Sequence, residues 1–479
     1  MVTALPPPAP TSPTPAAASR AARRALLAAV VVGVLLATVP WPGGLPPAAQ
    51  RAGALLIVAL ILWVSEAIPI AVTALLVLVL QPMLGLAPLG AAFASFMSPV
   101  FFFVLAMFVL THAMAVSGLD RRFAGWLLAR ADGSTHRTLT LLMVGTAAVS
   151  TIISDVPAAA VFMVAALGLF DRMGLTPGSQ FARGVMIGIP MASFIGGIGT
   201  PAGSSVNVLG LTFLEQYGKV RVPFVHWMAI GLPMVILLVP LAAKVLLWCY
   251  PPEQRRIEGI DFAAELRALG PVTAREWRVL LVAAVMLALW IASSWIPRID
   301  VVIVTVLGAV VLFLPGMGLF ASWKEVERAT AWDSLLMIGS VTSLGAVSAS
   351  SGLAKALVDG VLGGLTELPV AVVVAGISAF IALIHLIVPV NPAIVASMTP
   401  PIALLALSAG QNPALYGLPV VFSASCAFLL PLDAVTLVTY GKGYYRMFDM
   451  LLPGAILTVA WVVVLTGLLL LIGPWLGLL

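Results

Sequence analysis

Apolar residues run along this chain in long unbroken blocks, without the regular alternation that marks elements buried on one face only. Stretches with few or no charges recur at 25–50, 222–243, 279–297, 301–323, 334–354 and 450–479. Each is close to the ~20 residues that a helix needs to cross a hydrocarbon core of ~30 Å. Between Arg51 and Asp120 the single charge is Glu66, and 368–432 holds none, so these blocks contain more than one span apiece. The pattern predicts about eleven spans.

Composition excludes a soluble reading. The chain is 61% hydrophobic and 9% charged, against roughly 25% charged residues in an average soluble domain. Lipid cannot satisfy backbone polar groups, so the expected fold is an all-α polytopic membrane protein. Cys249 and Cys426 lie far apart in apolar surroundings and read as packing residues. With no metal-ligand pair at i, i+4 among the four histidines, a membrane-embedded enzyme lacks its constellation. No cofactor is expected. The net charge of +5 raises the question of nucleic acid, but basic residues in a membrane protein mark its cytoplasmic side. With an inside amino terminus and two hairpins that enter and leave from one side, all but five of the 24 Lys and Arg residues fall inside. The exceptions are Arg51, Lys219, Arg221, Arg298 and Lys355. This topology places the carboxyl terminus outside, in the inner or plasma membrane of the cell, and leaves no role for nucleic acid.

Residues 1–19, rich in Pro and Ala, read as a disordered tail and 20–50 as a first transmembrane helix. The polar segment 251–276 separates two stretches, 51–250 and 277–479, that echo one another. Each has a Ser-Gly-Leu turn (Ser117 to Leu119, Ser351 to Leu353) and, roughly 40 residues on, a polar break beside a proline: Ser154-Asp155-Val156-Pro157 and Val390-Asn391-Pro392. Each then has a second break, 196–207 and 431–443. An odd number of spans per half gives inverted repeats, the architecture of secondary transporters, whose sites lie where helices are broken.

Asp155 sits deep in the apolar run 138–170, where a carboxylate costs ~2.5–3.5 kcal/mol. It reads either as a cap of the next half-helix or as a carboxylate that binds Na⁺ or carries a proton. Ser150 and Ser154, one helical turn apart, are candidates to supply oxygens from the same face. Asn391 can donate to an anion or lend its oxygen to a cation, or cap a proline break. His385 reads as a structural residue. The stretch Gly196 to Ser205 is too rich in glycine for a helix interior and offers carbonyls to a cation, with a half-helix N-terminus near Ser204 for an anion. Asp433 and Thr436 follow the counterpart break, Asp433 reading as a second deep carboxylate or a cap. Glu66 reads as an interfacial turn. Lys and Arg are missing from all these deep segments.

In this order, Trp63 to Pro69, Gly118-Leu119-Asp120-Arg121-Arg122, Gly196 to Asn207, Trp227 to Pro233 and Cys426 to Pro431 resemble the divalent anion/sodium symporter family, over nearly the whole chain after about residue 50. The resemblance implies a cation-coupled symporter of dicarboxylate, citrate or sulfate. It also implies an elevator-type homodimer whose moving part contains two re-entrant hairpins. The family's Ser-Asn-Thr triplets fall on Ser154, Asp155 and Val156 and on Val390, Asn391 and Pro392, so only Ser154 and Asn391 match. By the same likeness Ser150, Ser154, Asp155 and Gly203 would hold one cation and Asn391 with backbone near Asp433 another. Ser154, Asp155, Ser204, Asn391 and Ala434, the last replacing a usual threonine, would face the substrate. The coupling ion stays open between Na⁺ and H⁺, and the alternative activity is Na⁺/H⁺ antiport with no bound anion.

Overall fold

The computed structural model describes residues 15–40, 44–257, 261–358 and 368–479, which fold into helices with no strand among them. Helix α1 (Pro15–Thr38) comes first. The first half then runs through α2 (Pro47–Ser65), α3 (Ile70–Met83), α4 (Leu89–Phe96), α5 (Pro99–Ser117) and α6 (Leu119–Arg130). It continues with α7 (Thr135–Ser150), α8 (Asp155–Met173), α9 (Gln180–Gly197), α10 (Ser205–Gly218) and α11 (Phe224–Cys249). A short α12 (Phe262–Ala268) leads to α13 (Ala274–Ala292), α14 (Val301–Val311), α15 (Trp323–Ala329), α16 (Trp332–Ser350) and α17 (Leu353–Leu357). The chain closes with α18 (Val370–Ile384), α19 (Asn391–Ser408), α20 (Pro413–Ser423), α21 (Ala434–Tyr440) and α22 (Leu451–Ile472). Among the described residues six helical segments are long and apolar enough to cross a membrane, and four shorter apolar helices accompany them.

Three boundaries differ from the sequence reading. Helix α1 begins at Pro15, inside the expected tail, because its Ala-rich first turns favour helix; residues 1–14 lie outside the described residues. It also stops at Thr38, and Pro47–Gln50 open α2, since the prolines from Pro40 to Pro47 cannot continue a helix. The polar segment ends three residues early. Thr273 and Glu276 form a reciprocal capping box, so Glu276 lies in the first turn of α13.

The two halves pack by exchange. Helix α5 lies on α14 and α16 on α3; α15 touches α5 and α4 touches α16; α11 pairs with α22. Helix α9 contacts α7 and α8, and α20 contacts α18 and α19. Helix α10 crosses to α19 and α20, while α21 crosses to α8 and α9. In lipid no hydrophobic force favours one apolar surface over another, so close approach at small residues decides such contacts. Gly196 lies against the backbone of Ala147, Gly210 against Val421 and Gly417 against Leu214; a Cβ at any of them would collide. The paired turns Gly118 (φ 81°) and Gly352 (φ 83°) are left-handed, a conformation that glycine adopts without strain.

An ion pair ties the first turn of α13 to the first half, and Arg172 of α8 pairs with Glu265 of the polar segment. Arg122 of α6 donates to Glu276 at 2.5 Å and to the carbonyls of Leu269, Gly270 and Pro271. The Arg122 guanidinium holds the Glu276 carboxyl below its ordinary value, helped by hydrogen bonds from Thr273. A depressed carboxylate stabilises the fold above its unfolded pKa, and that stabilisation is lost as pH falls through the lower folded value. Arg122→Gln is therefore expected to cost about 3 kcal/mol at neutral pH by leaving a buried charge unpaired. In thermal unfolding in detergent the gap between variant and wild type should close once the pH falls well below about 4.3, where the glutamate is protonated.

Candidate functional site

The polar residues lie at four breaks in the helices, between α7 and α8, α9 and α10, α18 and α19, and α20 and α21. The connection between α7 and α8 is the four residues 151–154. Helix α8 starts there because Ser154 is extended at its N-cap and Pro157 falls in the first turn, where the missing N–H is not needed. In the second half α18 ends at Ile384, and α19 restarts at Asn391 with Pro392 in its first turn. Helices α9 and α10 are separated by 198–204, which contains a 3₁₀ turn at Pro201–Gly203; α20 and α21 are separated by 424–433.

Asp155 is buried in this arrangement. The Ser150 hydroxyl lies 2.8 Å from Asp155 Oδ1 and 2.7 Å from the Ser193 carbonyl, and Ser193 donates to the Asp155 carbonyl at 2.6 Å. Ser204 and Asp433 are also near enough to act on the Asp155 side chain. The carboxylate thus stands at the N-terminus of α8 with the N-termini of α10 and α21 beside it. Gly197 is the wall: a Cβ there would overlap Asp155 Oδ1.

The first break is held open by specific bonds. Thr200 donates to the Thr151 carbonyl at 2.7 Å and accepts from Gly203 N–H, while Thr151 donates to the Gly196 carbonyl. Asn207 spans the break with its amide nitrogen, donating to Gly197 at 2.8 Å and Thr200 at 3.0 Å, which leaves its Oδ1 buried without a partner. Trp227 stacks on Phe422 with centroids 4.2 Å apart and donates to the Ile198 carbonyl at 2.8 Å. Trp227→Phe keeps the ring but removes this bond. It is expected to lower stability by about 1 kcal/mol, read by thermal unfolding in detergent.

Gly203 packs so closely on the carbonyls of Gly197 and Ser150 that only glycine fits. Asp433 is buried and caps α21 by accepting from Val435 N–H at 2.9 Å, so its capping role is realised. Asn391 is buried at the start of α19 with Oδ1 unpartnered. Its helix packs on α10, but no hydrogen bond joins Asn391 to the Asp155 cluster. Ala434 is exposed at the start of α21, and Ser154 is half-buried with no side-chain cap bond. The expected shared face of Ser150 and Ser154 does not form, because α7 ends at Ser150 and Ser154 lies across the turn; Ser150 reaches Asp155 instead. His385 and Asp433 line a cavity of about 10 Å³ with Pro389 and Cys426, room for about one water. Glu66 ends α2 in a left-handed turn and is exposed.

Ser193, Thr151 and Thr200 escaped selection as site residues. Ser193 is a single hydroxyl in an apolar helix, and only packing reveals its two partners. A signal was present for Thr200, which stands inside the glycine-rich stretch.

A family model described as the sodium:sulfate symporter transmembrane region matches residues 20–479. A membrane protein of Cupriavidus necator is 30% identical over 431 residues, covering 85% of this chain and 84% of its own. An uncharacterized transporter of Haemophilus influenzae is 28% identical, with 92% and 94% covered. The sodium-dependent dicarboxylate transporter SdcS of Staphylococcus saprophyticus is 26% identical, with 80% and 78% covered. Among solved structures, the Alcanivorax borkumensis YdaH transporter aligns over 94% of this chain and 97% of its own, at a TM-score of 0.56 and 14% identity. The Neisseria gonorrhoeae MtrF pump aligns over 94% of both chains at a TM-score of 0.53 and 12% identity. These two likenesses speak for the fold alone. With the family model matched across nearly its whole length, this integral membrane chain belongs to the sodium:sulfate symporter family, also called the divalent anion/sodium symporter family, and is a transporter rather than an enzyme.

Proposed function

We propose that this protein is a sodium-coupled symporter of a small divalent anion, a di- or tricarboxylate or sulfate. The observation that carries the reading is the buried Asp155 carboxylate, set among the hydroxyls of Ser150 and Ser204 at converging helix N-termini. A carboxylate with hydroxyl and carbonyl oxygens is a hard donor set suited to a hard cation. Helix N-termini offer N–H groups to an anion, and a bound cation relieves the repulsion between that anion and Asp155.

In this reading Ser150, Ser154, Asp155 and Gly203 hold one sodium ion, and Asn391 with the backbone near Asp433 holds a second. Ser154, Asp155, Ser204, Asn391 and Ala434 face the anion. The two hairpins are re-entrant and belong to inverted repeats that span α2 to α11 and α13 to α22, after a first transmembrane helix, α1, and joined by a cytoplasmic linker that contains α12. Transport proceeds by elevator-type alternating access in a homodimer of the inner or plasma membrane, with the amino terminus in the cytoplasm and the carboxyl terminus outside. Sodium is favoured as the coupling ion by family membership and by the name of the staphylococcal relative, a sodium-dependent dicarboxylate transporter.

Uptake of radiolabelled succinate, citrate and sulfate into proteoliposomes under separately imposed Na⁺ and H⁺ gradients tests the reading. It predicts accumulation of at least one of the three under the sodium gradient. Exchange of Na⁺ for H⁺ with no anion moved under either gradient would replace it by antiport.

A further inference from the structure

His385 has no role in the function proposed above, yet it is 5% exposed and neither of its ring nitrogens is bonded to a protein partner. A polar group withdrawn from water without a partner is costly, so a ring buried in this way needs a ligand. It stands at the C-cap of α18, the first residue of the break before α19. The other break of the second half, 424–433, ends at Asp433, which is also 5% exposed. The cavity of about 10 Å³ that both side chains line lies where these two breaks meet.

In the first half the corresponding breaks are joined directly: Thr200 donates to the Thr151 carbonyl at 2.7 Å, tying 198–204 to 151–154. Among the described residues of the second half, no hydrogen bond of normal geometry joins 385–391 to 424–433. The Ser423 and Ala424 carbonyls at the end of α20 are near enough to act on the His385 ring but do not bond it. Asp433 accepts from the Val435 N–H at 2.9 Å through Oδ1, and no other hydrogen bond to its carboxylate is found among the described residues. Cys426, the remaining polar side chain at the cavity, turns its Sγ to the Thr458 hydroxyl at 3.9 Å. An imidazole and a carboxylate therefore face a space that one water fills, and they supply the two polar partners that a buried water needs at least.

We propose that one buried water occupies this cavity, donating a hydrogen bond to the Asp433 carboxylate and bonding a ring nitrogen of His385, and that His385 is thereby a positioning residue for Asp433. The bridge does in the second half what Thr200 does in the first, holding the end of α18 to the start of α21. That Asp433 borders a sodium ion rests on the function proposed above; the water does not.

The test uses the full-length chain reconstituted in lipid with isotope-labelled histidine. His385-Leu386 is the single His-Leu pair in the sequence, so paired labelling assigns its ring in the wild type without any variant. In solid-state NMR the His385 ring nitrogens should receive magnetisation from an ordered water; no transfer means a dry cavity and overturns the proposal. Calorimetry then reads the positioning role. His385→Leu should bind sodium about tenfold more weakly, the worth of one hydrogen bond to a charged group, and His385→Gln, which can still bond a water, should recover most of that loss. Thermal unfolding checks that both variants fold. Wild-type sodium affinity in His385→Leu, or equal losses in the two variants, would overturn the positioning role. No sodium bound by the wild type would overturn the function proposed above, and the ring–water contact would still decide the cavity.

Discussion

Asp155→Asn, which places the asparagine of the family triplet at this position, is expected to weaken sodium binding and lower sodium-driven anion uptake while leaving the protein folded. Asparagine keeps the shape of the side chain and can still accept from the Ser150 hydroxyl at the place where Asp155 Oδ1 now does so at 2.8 Å. The negative charge is lost. Opposite charges about 4 Å apart attract by about 4 kcal/mol at an effective dielectric of about 20, which is on the order of 1,000-fold in cation affinity. Burying an uncompensated carboxylate costs several kcal/mol, so without sodium the variant should be at least as stable as the wild type. Sodium binding measured by calorimetry, beside thermal unfolding in sodium-free buffer, reads the two effects separately. Full sodium affinity in the variant would remove Asp155 from the cation site.

Gly197→Ala should produce a loss of comparable size by steric means. The added methyl would occupy the position of Asp155 Oδ1, and the backbone of α9 cannot retreat because Gly196 already touches Ala147. The Gly197 carbonyl is also fixed by Asn207. The carboxylate must swing away and give up its bond to Ser150, at an overpacking cost of about 1–3 kcal/mol. Sodium-driven uptake is expected to fall by at least about 100-fold if the full cation attraction is lost with it. Gly168→Ala, in the open face of α8, is the control; it adds a methyl with nothing within 4 Å and should transport normally. Normal uptake by Gly197→Ala would show that the carboxylate position is not critical.

Much of this arrangement was legible in the chain, for a physical reason. Lipid forbids unsatisfied backbone, so a proline or a glycine run inside an apolar block marks a place where helices stop within protein. Pro157, Pro392 and the stretch from Gly196 to Gly203 marked their breaks correctly, and the two Ser-Gly-Leu turns both proved left-handed at glycine. Partner choice was not legible. The Ser150–Ser154 pairing followed helical spacing, but the helix stops at Ser150 and the spacing has no meaning across the turn. Ser193, forty-three residues from Ser150, joins the cluster only because α7 and α9 pack closely at small residues.

The central claim is that cation and anion bind together at the hairpin tips. Linkage then requires that sodium raise anion affinity by the factor by which the anion raises sodium affinity. The most direct measurement is equilibrium binding of succinate, citrate and sulfate to the purified chain as sodium replaces potassium at constant ionic strength. The account predicts that at least one anion tightens steadily as sodium rises. Binding of equal strength in potassium alone, or no binding of any of the three at saturating sodium, would contradict it.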